Sequence, residues 1–235
     1  SGRQCGCIGT IRRSYPCYEQ WRVRRHSSEN SRQAFQKMTG VIVYLHGFKS
    51  SPHSFKAQLI AQTLEQNGGD WRYICPQLPL SPQESVDLVS DAIRDCQRDR
   101  LTIIGSSLGG YYAHWLAEQH ACKAVLLNPV IDPWQIKILD DIPDRSDLRV
   151  REWLDFRERY EGELKAIRVK NITNPSRYLL LAAKGDELLD WRLMQSHYHG
   201  AHQVIVDGGD HGLSDFGLYL EKVLSFCGIG KQYAG

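Results

Sequence analysis

Six short apolar runs, each set apart by a longer segment with helical character, constrain this chain more than any other feature. They are "VIVYLH" (Val41–His46), "WRYICP" (Trp71–Pro76), "LTIIG" (Leu101–Gly105), "KAVLLN" (Lys123–Asn128), "RYLLLAA" (Arg177–Ala183) and "QVIVD" (Gln203–Asp207). Most are nearly continuous in apolar character rather than alternating, which is the pattern of central parallel strands covered on both faces. Helix candidates fall between them at Pro52–Gln66, Pro82–Arg98, Leu108–Gln119, Glu187–His197 and Ser214–Phe226. Strand and helix in repeated alternation predict an α/β chain with a doubly wound, mainly parallel sheet of six or seven strands and right-handed crossovers.

One such domain accounts for the body of the chain. At 235 residues and 42% hydrophobic content the chain is large enough for a single sizeable core, and residues 38–235 hold every strand candidate. The charged stretch at 129–176 fits no strand and is expected to form a cap-like insertion over the sheet edge. Residues 1–37 read differently, with eight Lys or Arg against two Glu, a net +6 that leaves −4 for residues 38–235. Three readings fit such a basic extension: a transit peptide, a nucleic-acid arm, or upstream sequence foreign to the natural protein; the last is favoured because "MTGVIVYLHGF" starts a strand at Met38. It is expected to be disordered. No apolar run reaches the ~18 residues of a membrane span. Seven cysteines, odd in number and without a CxxC pair, suit a reducing cytoplasm better than a disulfide framework or a zinc knuckle.

Chemistry concentrates in "LTIIGSSLGGYYA". Gly105, Ser107 and Gly109 satisfy GxSxG between a strand and a helix, the setting in which a sharp turn exposes a serine Oγ above the sheet. The glycines are needed where strand and helix approach too closely for a Cβ, and Ser106 is expected to pack or hydrogen-bond. A serine hydroxyl needs a base, and a base needs an acid to hold its tautomer. His211 in "VIVDGGDHGLSDF" follows the last strand through a glycine-containing loop. Asp186 in "LLLAAKGDELLDW" lies just past the penultimate strand, whereas Glu187 and Asp190 are expected on the next helix, Asp190 as a cap or surface pair. The order Ser107, Asp186, His211 is that of an α/β-hydrolase triad. The N–H groups of Phe48, after "YLHGF", and of Leu108, at a helix start, are the expected oxyanion donors. His46 is read as a brace for that loop. Chemistry of this kind requires no metal and no organic cofactor.

The segments "MTGVIVYLHGFKSSPHSFKAQL", "GSSLGGYYA", "NPV", "GDELLD" and "GGDHGLSDF" resemble the YqiA/YcfP-like small esterases of the α/β-hydrolase superfamily, from Met38 to about Cys227. The resemblance implies a hydrolase of small carboxylic esters or acyl thioesters, with Ser107, Asp186 and His211 in the roles given above. It does not extend to Asp140–Asn171 or to residues 1–37.

Two other classes compete. "HYHGAH" sets His197, His199 and His202 at HxHxxH spacing, which could hold zinc in a metal-dependent hydrolase, although Ala201 stands where such sites carry an aspartate. A non-catalytic binding protein could keep the same fold without the chemistry. Nucleic-acid binding has only the basic extension in its favour, since the body is acidic. Trp115, Trp134, Trp153 and Trp191 read as core or pocket-wall residues. The oligomeric state is not legible.

Overall fold

In a computed structural model, which describes residues 40–135 and 150–230, the six apolar runs form one sheet. Its strands are β1 (Gly40–Leu45), β2 (Trp71–Ile74), β3 (Leu101–Ser106), β4 (Lys123–Leu127), β5 (Tyr178–Ala183) and β6 (His202–Val206). Their order is β2-β1-β3-β4-β5-β6, and every neighbouring pair is parallel. The expected α/β architecture, a doubly wound parallel sheet, is therefore present, with six strands among the described residues.

Alternation along each strand explains why the runs are apolar throughout. Val41, Val43 and Leu45 of β1 face one core, while Ile42 and Tyr44 face the other. Helices α1 (Phe55–Asn67) and α6 (Leu220–Cys227) cover the Ile42 face; α2 (Pro82–Ile93), α3 (Leu108–His120), α4 (Val150–Ala166) and α5 (Trp191–His197) cover the Val43 face. Burying both faces removes each strand's side chains from water, the main favourable contribution to such a fold.

The strand order also places a crevice. From β1 the chain leaves toward one face of the sheet and from β3 toward the other, so the loops after these adjacent strands diverge at their carboxyl ends. In open α/β sheets that divergence is where ligands sit.

Four helix expectations need correction: that from Pro52 begins at Phe55, and of the other three, two share a cause. The helix expected from Glu187 begins at Trp191, because the Asp186 carboxylate takes the N–H groups of Leu188 and Leu189 at 2.9 and 2.8 Å and holds a turn there. The helix expected from Ser214 begins at Leu220, because Asp210 takes the Ser214 N–H at 2.9 Å and its hydroxyl at 2.5 Å. The helix expected to reach Arg98 ends at Ile93, the last buried position of its apolar stripe. In the stretch 129–176, α4 packs Tyr160 and Leu164 into the core and accepts the Tyr111 hydroxyl at the Leu164 carbonyl, 2.8 Å away. The expectation for residues 1–37 and that for the middle of the insertion lie outside the described residues, as does the side chain of Trp153. Among the described residues no helix is long and apolar enough to cross a membrane.

Asp190 is not part of α5 but caps it, its Oδ1 accepting the Arg192 N–H at 2.9 Å. Asp190→Ala should cost about 1 kcal/mol of stability, the usual contribution of an N-cap, as read by urea unfolding.

Candidate active site

Ser107 stands between β3 and α3 with φ 56° and ψ −121°, a left-handed conformation that a non-glycine residue adopts only when its surroundings impose it. The surroundings are glycines. A Cβ on Gly105 would lie 2.2 Å from the Gly109 carbonyl oxygen, and one on Gly109 would lie 2.1 Å from that of Leu45, so neither site admits a side chain. The main chain of Ser107 is pinned to β4 and its exit: its N–H donates to the Leu127 carbonyl at 3.0 Å, and its own carbonyl accepts the Val130 N–H at 3.1 Å. Left-handed non-glycine residues cluster here. Of five among the described residues, Lys49, Ser107, Asn128 and Leu213 all lie in segments leaving the carboxyl ends of strands, and only Ala121 does not.

His211 reaches Ser107 from the loop after β6. Its Nε2 lies 2.9 Å from Ser107 Oγ, and its Nδ1 lies 2.8 Å from Asp186 Oδ2. Carboxylate oxygens only accept, so Nδ1 carries the proton and Nε2 is left as the acceptor for the serine hydroxyl. The Asp186 side chain is fully buried and that of His211 is 17% exposed, which shields the relay while leaving an approach to its open end. The loops meet through glycine as well. Gly185 donates its N–H to the Gly208 carbonyl at 2.9 Å, and a Cβ on Gly185 would stand 2.3 Å from the Gly209 carbonyl oxygen.

Gly47 brings the loop after β1 against the serine, since a Cβ there would be 3.2 Å from Ser107 Cβ. Phe48 and Lys49 then form a turn closed by the Ser50 N–H on the Gly47 carbonyl. Among the described residues no backbone carbonyl accepts from the N–H of Phe48 or of Leu108. His46 is buried beneath this loop, its Nδ1–H donating to the Gly47 carbonyl at 3.0 Å and its Nε2 accepting the Leu78 N–H at 3.2 Å. Burial lowers its pKa from the ordinary histidine value, in keeping with a neutral brace rather than a proton carrier. A cavity of about 220 Å³ opens beside it, walled chiefly by Phe48, Leu78, Leu80, Leu108, Tyr112 and Tyr160.

Two contacts in this region have no counterpart in the sequence reading. Glu187, expected on a helix, sits in the loop and accepts the His211 N–H at its Oε2, 2.9 Å away. Asn128, seen only as part of "NPV", donates from Nδ2 to the carbonyls of Asp210 and His211 at 3.0 and 3.1 Å. No periodicity or motif signals either one, because both act on main-chain groups distant in sequence.

The histidine-cluster alternative fails on geometry. His197 stacks edge-on to His114 and Tyr198 at centroid distances of 5.2 and 4.9 Å, on the α3 and α5 side of the sheet. His202 stacks on Phe226, which packs against the opposite face. Among the described residues no three His, Cys, Asp or Glu side chains gather as ion ligands. Trp115 and Trp191 are partly buried against the core, while Trp134 is 38% exposed with the Arg168 guanidinium 4.6 Å from its ring.

The uncharacterised protein family UPF0227 matches residues 41–228, a span that contains every residue of this site. The chain belongs to this family. A UPF0227 member from Yersinia enterocolitica is 24% identical over 192 residues, covering 81% of this chain and all of that protein. The YqiA/YcfP-like resemblance thus holds at the family level. Among solved structures, mouse alpha/beta hydrolase domain-containing protein 10 matches with a TM-score of 0.60 at 14% identity, covering 80% of this chain and 90% of that one. Est1E from Butyrivibrio proteoclasticus, with ferulic acid bound, matches at 0.59 and 15%, covering 81% and 88%. At such identities the likeness is one of fold, and this UPF0227 member has the α/β-hydrolase fold.

Proposed function

We propose that this chain is a serine hydrolase of carboxylic esters, and by the same chemistry of acyl thioesters, working through an acyl-enzyme. The observation that carries the reading is the continuous relay from buried Asp186 through His211 to Ser107 Oγ, on a left-handed turn at the mouth of the sheet's crevice. In the first step Ser107 Oγ attacks the acyl carbon while His211 Nε2 takes its proton, and Asp186 stabilises the imidazolium so formed. The N–H groups of Phe48 and Leu108 hold the oxyanion, the latter aided by the positive end of the thirteen-residue α3. His211 then returns the proton to the departing oxygen or sulfur. Water repeats the attack, releasing the acid and regenerating Ser107.

The same chemistry orients the substrate. His211 must reach the leaving group, so the leaving group lies on its side of Ser107. None of the residues lining the 220 Å³ cavity comes from the Asp186 or His211 loops, which favours the acyl portion as its occupant. Its walls of Phe48, Leu78, Leu80, Leu108, Tyr112 and Tyr160 suit an apolar acyl group.

A panel of p-nitrophenyl and acyl-CoA esters of rising chain length tests the proposal, together with a fluorophosphonate label. Turnover that survives EDTA, and a label mapped to Ser107, are the expected results; a chelator-sensitive activity, or a label elsewhere, would count against it.

A further inference from the structure

Asn128 is the residue at which three parts of the site meet. It follows β4 directly, has no solvent exposure, and holds φ 41° in the left-handed region. Its own N–H donates to the Leu181 carbonyl at 2.9 Å. Its side chain directs its hydrogen bonds to other loops. Oδ1 accepts the N–H of Ala183, the last residue of β5 and three residues before Asp186, at 2.8 Å. Nδ2 offers one hydrogen to the Asp210 carbonyl and one to the His211 carbonyl. A primary amide has two donors, and both go to the segment that carries the base. The residue before Asn128, Leu127, accepts the Ser107 N–H, and Val130 just beyond donates to the Ser107 carbonyl. The short segment 127–130 is therefore tied to the nucleophile's main chain, to the root of the acid loop, and to the main chain of the base.

We propose that Asn128 is a positioning residue: its amide sets where the His211 main chain stands relative to Ser107 and Asp186, so that the imidazole bridges both. Glu187 holds the same residue at its other main-chain polar group, accepting the His211 N–H. The imidazole is thus located at both main-chain polar groups of its own residue as well as through its ring, which is how a side chain on a glycine-rich loop keeps a reactive orientation. The proposal rests on the hydrolase reading for its kinetic consequence, but not for its geometric one.

The competing explanation is that Asn128 serves the fold alone, as a residue tolerant of a left-handed bend. Asn128→Gly separates the two, because glycine adopts φ 41° without strain yet carries none of the three side-chain hydrogen bonds. For the positioning role, Asn128→Gly should remain folded by circular dichroism and lose about 10- to 100-fold in kcat, with KM within about threefold, the scale expected when a reacting group is displaced by around 1 Å. A folded Gly variant with wild-type kcat would overturn it. Should the Gly variant not fold at the assay temperature, Asn128→Asp takes its place: it keeps an acceptor for the Ala183 N–H and loses both donors, and again unchanged kcat overturns the proposal. A second readout needs no turnover. The His211 Nδ1 proton, hydrogen-bonded to Asp186, should give a low-field resonance that broadens or moves upfield in the Gly variant while the tryptophan indole resonances stay put; an unmoved Nδ1 resonance sinks the idea. Failure of the hydrolase reading looks different, since there Ser107→Ala would match the wild type in every ester assay while the Asn128 variants still perturbed the imidazole proton.

Discussion

Ser107→Ala should lower ester turnover by about 10⁴- to 10⁶-fold, the range seen when the nucleophile of a serine triad is removed, and should leave the fold intact. The two halves of that expectation have separate causes. On the proposed mechanism, without Oγ there is no atom to form the acyl-enzyme, and the residual rate would be that of water attacking a substrate held against the proposed oxyanion donors, the Phe48 and Leu108 amides. The main-chain bonds that fix the turn, from Ser107 N–H to Leu127 and from Val130 to Ser107, do not involve the side chain and persist. Alanine inherits the left-handed conformation with no greater steric demand than serine. The hydrogen bond from Oγ to His211 Nε2 disappears, but that ring is 17% exposed and can turn to water instead. Thermal unfolding within a few degrees of wild type, combined with loss of turnover on the best p-nitrophenyl ester, is the result to look for. Near-normal turnover in a well-folded variant would remove Ser107 from the reaction.

The sheet was legible in the sequence because its strands are covered on both faces. In runs such as "KAVLL" and "YLLLAA" nearly every side chain is buried, so continuous apolar character marks a strand without ambiguity of face. The serine turn was legible for a related reason: Gly105 and Gly109 are required by approaches of 2.2 and 2.1 Å, and close approach leaves its mark as glycine. Helix starts were not legible where a side chain from another segment, or from the same loop, competes for the first N–H groups. Asp186 claims Leu188 and Leu189, and Asp210 claims Ser214, so α5 and α6 begin later than their apolar periodicity suggests. Asn128 and Glu187 were invisible for a deeper reason. Their partners are peptide groups 55, 82 and 83 residues away for Asn128 and 24 for Glu187, and a peptide group has no identity in a sequence. The histidine cluster erred in the opposite direction, since spacing along the chain put three imidazoles near one another while α5 and β6 carry them to different faces.

Asp186→Asn is the sharper test of the relay, because the surrounding hydrogen bonds decide which way the new amide must face. In the native loop Oδ1 accepts the N–H groups of Leu188 and Leu189, and only an oxygen can do so. An asparagine here keeps its carbonyl oxygen in that position and turns its NH₂ toward His211, where Oδ2 now lies 2.8 Å from Nδ1. An amide nitrogen donates, and it would stand at the nearer of the two contacts, since Oδ1 lies 3.0 Å from Nδ1, so the substitution favours Nδ1 as the acceptor and the imidazole proton on Nε2. That nitrogen then presents N–H to Ser107 Oγ and cannot take its proton. The loss in kcat should be about 10⁴-fold, the cost of the wrong tautomer in a triad whose geometry is otherwise retained. Stability should change far less, since the turn bonds survive. Asp190→Ala supplies the contrast, because Asp190 caps α5 and bonds to Arg192, so its loss should leave kcat near the wild-type value. The reverse ranking, with Asp186→Asn active and Asp190→Ala inactive, would mean that the acid of the relay is not Asp186. In the Asn variant the imidazole tautomer can be read directly by ¹⁵N chemical shifts, which should place the proton on Nε2; a proton still on Nδ1 would show that the ring keeps its native tautomer by donating to the amide oxygen, 3.0 Å away at the Oδ1 position, and that the wrong-tautomer account of the loss is mistaken.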